Sequence, residues 1–199
     1  MIATATPVIR CQWCSDDPVY KAYHDTEWGV PEFDGDRLFE KLVLDGLQAG
    51  LSWITILKKR DRYREVYHGF DVSFMANQTD DDLLRLMEDP GIIRNRLKIS
   101  AARQNARAWL KLGEQTDPAQ WLWQFVGGAP RINHFSSFSE VPAITLQAEA
   151  MSKALKKAGF SFVGPTICYA FMQATGMVMD HTTDCFRHAA LANTGPISP

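Results

Sequence analysis

The stretch Ala158-Gly-Phe-Ser-Phe-Val-Gly-Pro-Thr166 joins two helical segments of this 199-residue chain. Gly164 allows another backbone to approach closely, and Pro165 suits the first position of the helix that follows. A Gly-containing hairpin before a helix N-terminus presents backbone N–H groups and the positive end of a helix dipole, which suits a DNA phosphate. An ordinary helix–helix turn explains the same residues equally well, but nearby lysines, Lys156 among them, favour phosphate contact.

Apolar residues recur at helical spacing on both sides of this hairpin. The predicted helices have their apolar positions within 38–43, 83–87, 93–112 and 150–158, and the 46–50 stretch is expected to interrupt the first. Asp34 or Asp36 is expected to cap the first helix and Thr79 the second. No alternating run lies between hairpin turns, so strands are expected to be absent or minor. The pattern predicts an all-α single domain over 1–199, with flexible tails at 1–10 and 192–199.

Composition and charge narrow the class of protein. Hydrophobic residues make up 46% of the chain and charged residues 22%, as in ordinary globular proteins. No apolar run reaches the roughly 20 residues of a membrane helix, and the first ten residues lack the apolar segment of a signal peptide, so we expect a cytoplasmic protein without membrane contact. The net charge of −2 argues weakly against non-specific nucleic-acid binding. Basic clusters at 58–64, 94–107 and 153–157 nevertheless make one basic surface plausible.

The segment from Cys11 to Gly29 combines metal-ligating side chains with large aromatic rings. Trp13, Tyr20, Tyr23 and Trp28 are suited to stacking on a flat molecule. A core segment would carry more aliphatic residues, although packing is the safer interpretation of any single aromatic residue. The segment therefore raises two questions, namely which metal and which flat ligand it binds.

Candidate metal ligands lie at both ends of the chain. Cys11 and His24 form one pair, and His181 and Cys185 form another that would face the same way on a helix. Two thiolates and two imidazoles suit a closed tetrahedral zinc site that ties the two ends together. Other candidates are Cys14, which forms a Cys-x-x-Cys pair suited to zinc or redox chemistry, and His188. Cys168, in an apolar helix, is interpreted as a core residue.

Several motifs in one order resemble the 3-methyladenine DNA glycosylase I family, often called Tag. The resemblance covers nearly the whole chain from Cys11 to Cys185. The matching motifs are Cys11-x-Trp13, Asp17-Pro18-x-Tyr20-x-x-Tyr23-His24-Asp25-x-Glu27-Trp28-Gly29-Val30-Pro31, Gln48-Ala49-Gly50-Leu51-Ser52-Trp53-Ile54-Thr55, Gly91-Ile92-Ile93-Arg94-x-Arg96-x-Lys98, Leu155-Lys156-Lys157-x-Gly159-Phe160-x-Phe162-Val163-Gly164 and Asp180-His181.

The resemblance implies a helical protein of the helix–hairpin–helix glycosylase superfamily, with a zinc clasp joining its N- and C-terminal segments. It implies that Cys11, His24, His181 and Cys185 hold a structural zinc, which favours Cys11 over Cys14 as a ligand. It further implies a monofunctional enzyme that acts on double-stranded DNA containing alkylated bases. Nothing in the sequence demands a dimer, so we expect a monomer. Hydrolysis of the N-glycosidic bond would release free 3-methyladenine and leave an abasic site.

The resemblance also assigns roles to individual residues. The aromatic walls of a base pocket would be Trp13, Tyr20, Tyr23, Trp28 and Trp53, and contact between such rings and a desolvated cation is worth about 2 kcal/mol or more. Asp45 stands where the family typically has a Glu that contacts the extruded base, and its shorter side chain puts affinity and selectivity in question.

Other positions would contact the DNA or lie near the reacting sugar. Gly50 and Leu51 would fill the gap left in the duplex, although a tight helix–helix turn is a serious alternative. Gly164 and Lys156 would contact DNA phosphates. Superfamily relatives usually have a catalytic Asp near Asp180, but members of this family are thought to lack it, and we expect no strong general base.

Two alternatives belong to other functional classes. The first is a non-catalytic binder of alkylated or distorted DNA, weakened by Asp45. The second is a zinc hydrolase unrelated to DNA, which would need an open metal position that four protein ligands do not leave.

Overall fold

The computed structural model describes residues 8–192, so most of the two predicted tails lies outside the described residues. The described part is mainly helical, as predicted. Its α-helices are α1 (Pro18–Thr26), α2 (Gly35–Gln48), α3 (Trp53–Leu57), α4 (Arg60–Val66), α5 (Val72–Asn77), α6 (Asp80–Glu88), α7 (Arg96–Gly113), α8 (Pro118–Trp123), α9 (Leu146–Lys157), α10 (Pro165–Ala174) and α11 (Phe186–Ala192).

Strands are minor, as the sequence predicts. Strand β1 (Arg131–Ile132) pairs in parallel with β2 (Val178–Met179), and this pair is the whole sheet within residues 8–192. Two short 3₁₀ helices cover Gln124–Val126 and Phe138–Glu140. No helix of the described chain has both the length and the apolar character needed to cross a membrane.

Local capping explains where most of the helices begin. The Asp34 carboxylate accepts a hydrogen bond from the Arg37 amide at the start of α2. Thr79 and Asp82 form a reciprocal capping box at the start of α6, and both features agree with the sequence prediction. The predicted helix at 93–112 begins later, at Arg96, because the Asn95 side chain caps it.

The 46–50 stretch ends helix α2 as predicted, but the helix continues through Gly46 and stops only at Gln48. Gly46 lies inside the helix, where a Cβ atom would be 3.3 Å from the Cβ of Phe162 in the hairpin. The glycine therefore serves close packing between α2 and the hairpin, and its helical cost of about 1 kcal/mol is offset by that contact.

Helix α2 lies at the centre of the main hydrophobic core. Its apolar face, including Leu38, Phe39 and Leu42, is fully buried and packs against α7 and α10. Asp45 interrupts this apolar face further along the helix. The residue is only 4% exposed, although it carries a carboxylate. The core thus fixes in place a helix that carries a buried charged group.

Side chains from two helices hold the hairpin between α9 and α10. Asn105 of α7 donates to the carbonyl of Ser161 (3.1 Å) and accepts from its amide (2.8 Å). The Ser152 hydroxyl donates to the carbonyl of Val163 (2.6 Å). Phe162 adopts a φ of +57°, a conformation that non-glycine residues seldom adopt outside such supported turns. The hairpin is therefore a fixed element of the fold.

Candidate functional site

The aromatic residues of the N-terminal segment are positioned by α1. Asp17 caps this helix by accepting from the Val19 amide, and Pro18 occupies its first turn. Tyr20 and Tyr23 then lie three residues apart and share one face. Trp13, which precedes the helix, contacts both rings at centroid distances of 5.2 and 6.3 Å.

The four cysteine and histidine residues favoured as metal ligands form one buried cluster. Their ligand atoms all lie within 4.8 Å of one another. The Cys11 Sγ is 3.3 Å from His181 Nδ1, and the Cys185 Sγ is 3.5 Å from both His24 Nε2 and His181 Nδ1. Ligand atoms around a tetrahedral zinc are separated by roughly 3.3–3.8 Å, given its usual bond lengths. The cluster therefore fits a small tetrahedral metal ion.

The outer nitrogen of each imidazole has a hydrogen-bond acceptor. His24 Nδ1 lies 2.8 Å from an Asp25 carboxylate oxygen, and His181 Nε2 lies 3.0 Å from the Trp28 carbonyl. These contacts favour the tautomers in which His24 Nε2 and His181 Nδ1 are unprotonated and can act as ligands, and His24 Nε2 accepts a hydrogen bond of 3.2 Å from the Cys11 amide. Arg10 in turn pairs with Asp25 at 2.7 Å. The hydrogen bond with Cys11 lowers the pKa of Cys185, against the opposing effect of burial.

The sequence suggested that His181 and Cys185 face the same way on a helix. In the structure neither residue lies in a helix. Both residues lie in a turn before α11, where the Cys185 amide donates to the Thr182 carbonyl at 2.8 Å. The turn brings the two side chains together, with Cys185 Sγ 3.5 Å from His181 Nδ1. Cys14 and His188 are not members of the cluster, and Cys168 is fully buried in α10 as expected for a core residue.

The predicted pocket aromatics line one cleft of about 180 Å³. This volume is smaller than the roughly 300–1,000 Å³ of a drug-sized site, so it suits a single small, flat molecule. The lining residues are Trp13, Tyr20, Tyr23, Trp28, Asp45, Gln48, Trp53, Phe138, Ala170, Gln173 and Ala174. All five predicted aromatic residues and Asp45 are therefore brought together.

Three buried polar atoms of the cleft residues have no hydrogen-bond partner. They are the indole nitrogens of Trp13 and Trp53 and the Oδ2 atom of Asp45. A buried polar group without a partner costs about 1–3 kcal/mol, and a site that keeps several such groups together is prepared for a ligand that satisfies them. Two donors and one acceptor are thus available to a bound molecule.

Asp45 pairs with a lysine one helical turn earlier. The Nζ atom of Lys41 lies 3.5 Å from Asp45 Oδ1, and the two side chains are 15% and 5% exposed. Burial raises the pKa of Asp45 to about 6, against the opposing effect of Lys41. Burial likewise lowers the pKa of Lys41 to about 8. Both groups are therefore charged near neutral pH.

The predicted duplex-filling residues lie in a rigid turn after α2. Gly50 has a φ of +75°, which glycine adopts without strain, and is exposed, whereas Leu51 is half-buried against the main core. Gln48 binds the turn twice, through its side-chain amide to the Leu51 carbonyl and its own carbonyl to the Leu51 amide. The buried Lys98 donates to the carbonyls of Leu47 and Ala49 at 2.7 Å each.

The hairpin presents its glycine at the start of α10. Gly164 is the N-cap residue without a side-chain cap, Pro165 follows it, and nothing lies within 4 Å of a Cβ built on Gly164. Lys156 is exposed at the end of α9. Within residues 8–192 no ion pair engages Lys156, Lys153, Lys157, Arg94 or Arg96.

Most residues of the first basic cluster, and part of the second, interact with other groups of the protein instead. Lys58, Arg60, Arg62 and Arg64 all pair with carboxylates, and Lys98 is buried. The three clusters therefore do not form one free basic surface. The exposed and unpaired positions are those near the hairpin and near Arg94.

Asp180 does not lie free in the cleft. Its carboxylate accepts hydrogen bonds from Asn133 (2.7 Å), Tyr169 (2.5 Å) and Gln173 (2.8 Å). These three donors fix the segment that leads into His181. Asp180 is thus an anchor for the chain between the cleft and the metal-type cluster.

Sequence reasoning missed Lys41, Gln173 and Phe138. The i, i+4 spacing of Lys41 and Asp45 on one predicted helix was a usable signal. Gln173 and Phe138 had none, because they come from α10 and a 3₁₀ turn that only tertiary packing brings to the cleft.

The fold and the cleft together define a mainly helical protein with a hairpin between α9 and α10, a small aromatic pocket and a buried Cys₂His₂ cluster. The chain belongs to the methyladenine glycosylase family, whose sequence pattern matches residues 13–188. It is 52% identical over 177 residues to DNA-3-methyladenine glycosylase 1 of Escherichia coli (strain K12). The aligned residues cover 88% of this chain and 95% of that protein.

Solved structures give the same result. The crystal structure of 3-methyladenine DNA glycosylase I (TAG) superposes with a TM-score of 0.90 at 52% identity, covering 90% of this chain and 100% of that one. A variant of 3-methyladenine DNA glycosylase I in complex with 3-methyladenine gives a TM-score of 0.85 at 36% identity, covering 88% and 95%.

Proposed function

We propose that this protein is a monofunctional DNA glycosylase that hydrolyses the N-glycosidic bond of 3-methyladenine in alkylated DNA. The aromatic cleft carries this proposal, because it combines five aromatic rings with a buried carboxylate and two unpartnered indole N–H groups. An extruded, cationic, flat base offers a π-face for the rings, a charge for Asp45 and polar atoms for the indoles. The membership of the family supports the same activity.

The chemistry requires little from the protein beyond binding the base. Cleavage of the bond between the sugar carbon and the base leaves its electron pair on the base, which departs as neutral 3-methyladenine. A water molecule adds to the oxocarbenium-like sugar carbon and loses a proton to solvent, which leaves an abasic site. Asp45 stabilises the cationic base in the pocket. Asp180, with its three hydrogen-bond donors, is not assigned the role of a general base.

The cluster of Cys11, His24, His181 and Cys185 would hold a structural Zn²⁺ ion. Four protein ligands leave no open coordination position, so the ion would crosslink the chain ends and supply no reaction chemistry. Trp13 and Trp28 lie within 6.5 Å of the His24 ring, so the crosslink supports the pocket walls directly.

The DNA would contact the hairpin and the turn after α2. Gly164 leaves space for a phosphate at the start of α10, with Lys156 nearby, and Gly50 and Leu51 would fill the space of the extruded base. The rigidity of the turn, which Gln48 and Lys98 hold, suits this role. We further propose a cytoplasmic monomer that functions as a single domain over 1–199.

Base release from N-methylated DNA tests the activity. The purified chain is incubated with DNA alkylated by a methylating agent, and released bases are separated by chromatography. Release of 3-methyladenine above a blank without protein is expected. Salt-sensitive binding to a lesion duplex with no release would instead favour the non-catalytic binder.

A further inference from the structure

Lys41 occupies the boundary between two clefts of the protein. The aromatic cleft of about 180 Å³ and a neighbouring charged cleft of about 480 Å³ share Tyr23, Trp53 and Ala174 in their linings. Lys41 lines the charged cleft, and Asp45 lines the aromatic one. The lysine therefore reaches the wall of the base pocket from behind.

The Lys41 ammonium group contacts three residues of the pocket wall at once. It lies 3.5 Å from Asp45 Oδ1, and it donates a hydrogen bond of 2.9 Å to the Tyr23 hydroxyl. It also lies 3.5 Å from the centre of a Trp53 ring and 4.9 Å from that of Tyr23. The contacts fix the ammonium group, so its charge acts on the pocket from a defined position.

Two consequences follow for a cation bound in the pocket. The charge of Asp45 is offset by a neighbour of opposite charge, which leaves the carboxylate and ammonium pair close to neutral. An indole attracts cations through the negative charge on its ring faces, and Lys41 already occupies one face of Trp53. A second cation on the other face would be repelled by Lys41 through the ring.

We propose that Lys41 is a specificity-determining residue that lowers the preference of this base pocket for cationic over neutral purines. The proposal rests on the proposed glycosylase function and names the chemical range of bases that the pocket accepts: purines whose flat ring and hydrogen-bonding atoms fit, whether or not they carry a positive charge. Oδ2 of Asp45 and the indole N–H groups remain free to bind such a neutral base.

The charge state of the pair supports this role. Burial lowers the pKa of Lys41 to about 8 and raises that of Asp45 to about 6, so both are charged at pH 7. The other charged groups of the cleft that Lys41 lines form three ion pairs, Arg60 with Glu27, Arg64 with Glu40 and Arg37 with Glu32. They therefore cancel one another to a large extent, and Asp45 is the main charge that Lys41 offsets.

Binding of two probes at pH 7.5 tests the proposal on the full chain. The probes are the 3,9-dimethyladeninium cation and neutral 3-methyladenine, measured by calorimetry or tryptophan quenching. Lys41→Met is expected to raise the ratio of cation to neutral affinity roughly tenfold or more over wild type, because the variant removes a positive charge that repels the bound cation in a buried site. Lys41→Arg, which keeps the charge, should keep the wild-type ratio, as should Lys111→Met at an exposed position.

A second neutral variant and a separate activity measurement distinguish the effect of the Lys41 charge from misfolding and from loss of the glycosylase function. Lys41→Gln keeps a polar side chain and replaces Lys41→Met if the latter does not fold, with the same expected rise. An unchanged ratio, within about twofold, in both neutral variants overturns the proposal, and so does the absence of binding of either probe to wild type. Base release from methylated DNA by wild type, measured separately, decides the glycosylase function whatever the ratio shows.

Discussion

The Cys11 sulfur lies 3.3 Å from Nδ1 of His181, although the two residues are 170 positions apart in the chain. This contact closes the chain ends around the aromatic cleft, since Trp28 provides the carbonyl that orients His181. The cluster and the cleft are thus two parts of one structural unit. A change in the cluster should therefore affect both stability and base binding.

Removal of one cluster ligand should release the metal and destabilise the protein. We expect Cys185→Ser to lower metal content below stoichiometry and to reduce the free energy of unfolding by about 4 kcal/mol or more, the stabilisation from a ligand present at 1,000 times its Kd. Cys14→Ser, outside the cluster, is the matched control and should change neither. Metal analysis and thermal unfolding are the measurements. Equal metal content in both variants would contradict the assignment.

The Asp45 carboxylate should be needed for base release. Asp45→Asn keeps the size of the side chain but removes its negative charge and leaves Lys41 without a counter-charge beside the cationic base, and we expect a loss of about 100-fold in single-turnover release. Asp81→Asn, an exposed change on α6, should leave the rate unchanged. Rates on methylated DNA check this, and a loss below threefold would argue against a role for the carboxylate.

Stability should depend on pH through the buried pair. Because the pKa of Asp45 is raised in the folded protein, protonation of Asp45 stabilises the fold. This contribution to stability is fully present below about pH 3.8 and is lost as the pH rises through about 6. Because the pKa of Lys41 is lowered in the folded protein, deprotonation of Lys41 stabilises the fold. This contribution to stability is fully present above about pH 10.5 and is lost as the pH falls through about 8. Both contributions are absent between about 6 and 8.

The double variant Lys41→Met/Asp45→Asn removes both titrations, so its stability relative to wild type should be most favourable between pH 6 and 8 and should decline on either side. Chemical unfolding across pH 4–9 measures the difference. A gain that does not vary with pH would show that the titration of the pair is not its source.

The unpartnered indole N–H of Trp13 should contribute to ligand binding and not to hydrogen bonding within the free protein. Trp13→Phe removes a buried donor that has no partner, so no hydrogen bond is lost in the free protein. We expect 3-methyladenine to bind up to about tenfold more weakly, the value of one hydrogen bond. Calorimetric titration, with thermal unfolding in parallel, checks both parts. Unchanged affinity would mean that this donor does not reach the base.

The hairpin should depend on Asn105. Asn105→Ala leaves both the amide and the carbonyl of Ser161 without their partner, and should cost about 1–3 kcal/mol of stability. Gln104→Ala, which removes one exposed bond to the Gly159 carbonyl, should cost less. Unfolding in urea compares the two variants, and equal losses would show that burial of the amide is not the decisive factor.

The sequence by itself determined the helical class, the starts of helices such as α2 and α6, and, through the family resemblance, the five aromatic residues and Asp45 that line the cleft. Capping residues such as Asp34 and Thr79 act on amides within three positions, so local order is enough to read them. The motif order from Trp13 to His181 further predicted the residues that would share a pocket.

Only the tertiary structure decided how those side chains relate in space. The sequence could not indicate that His181 and Cys185 meet in a turn, that α2 continues through Gly46 against the hairpin, or that the first basic cluster is largely paired with carboxylates. It also gave no measure of the environment of Lys41, whose charge faces Trp53 and Asp45. These features depend on packing between distant segments, which excludes water and brings together groups that no local pattern links.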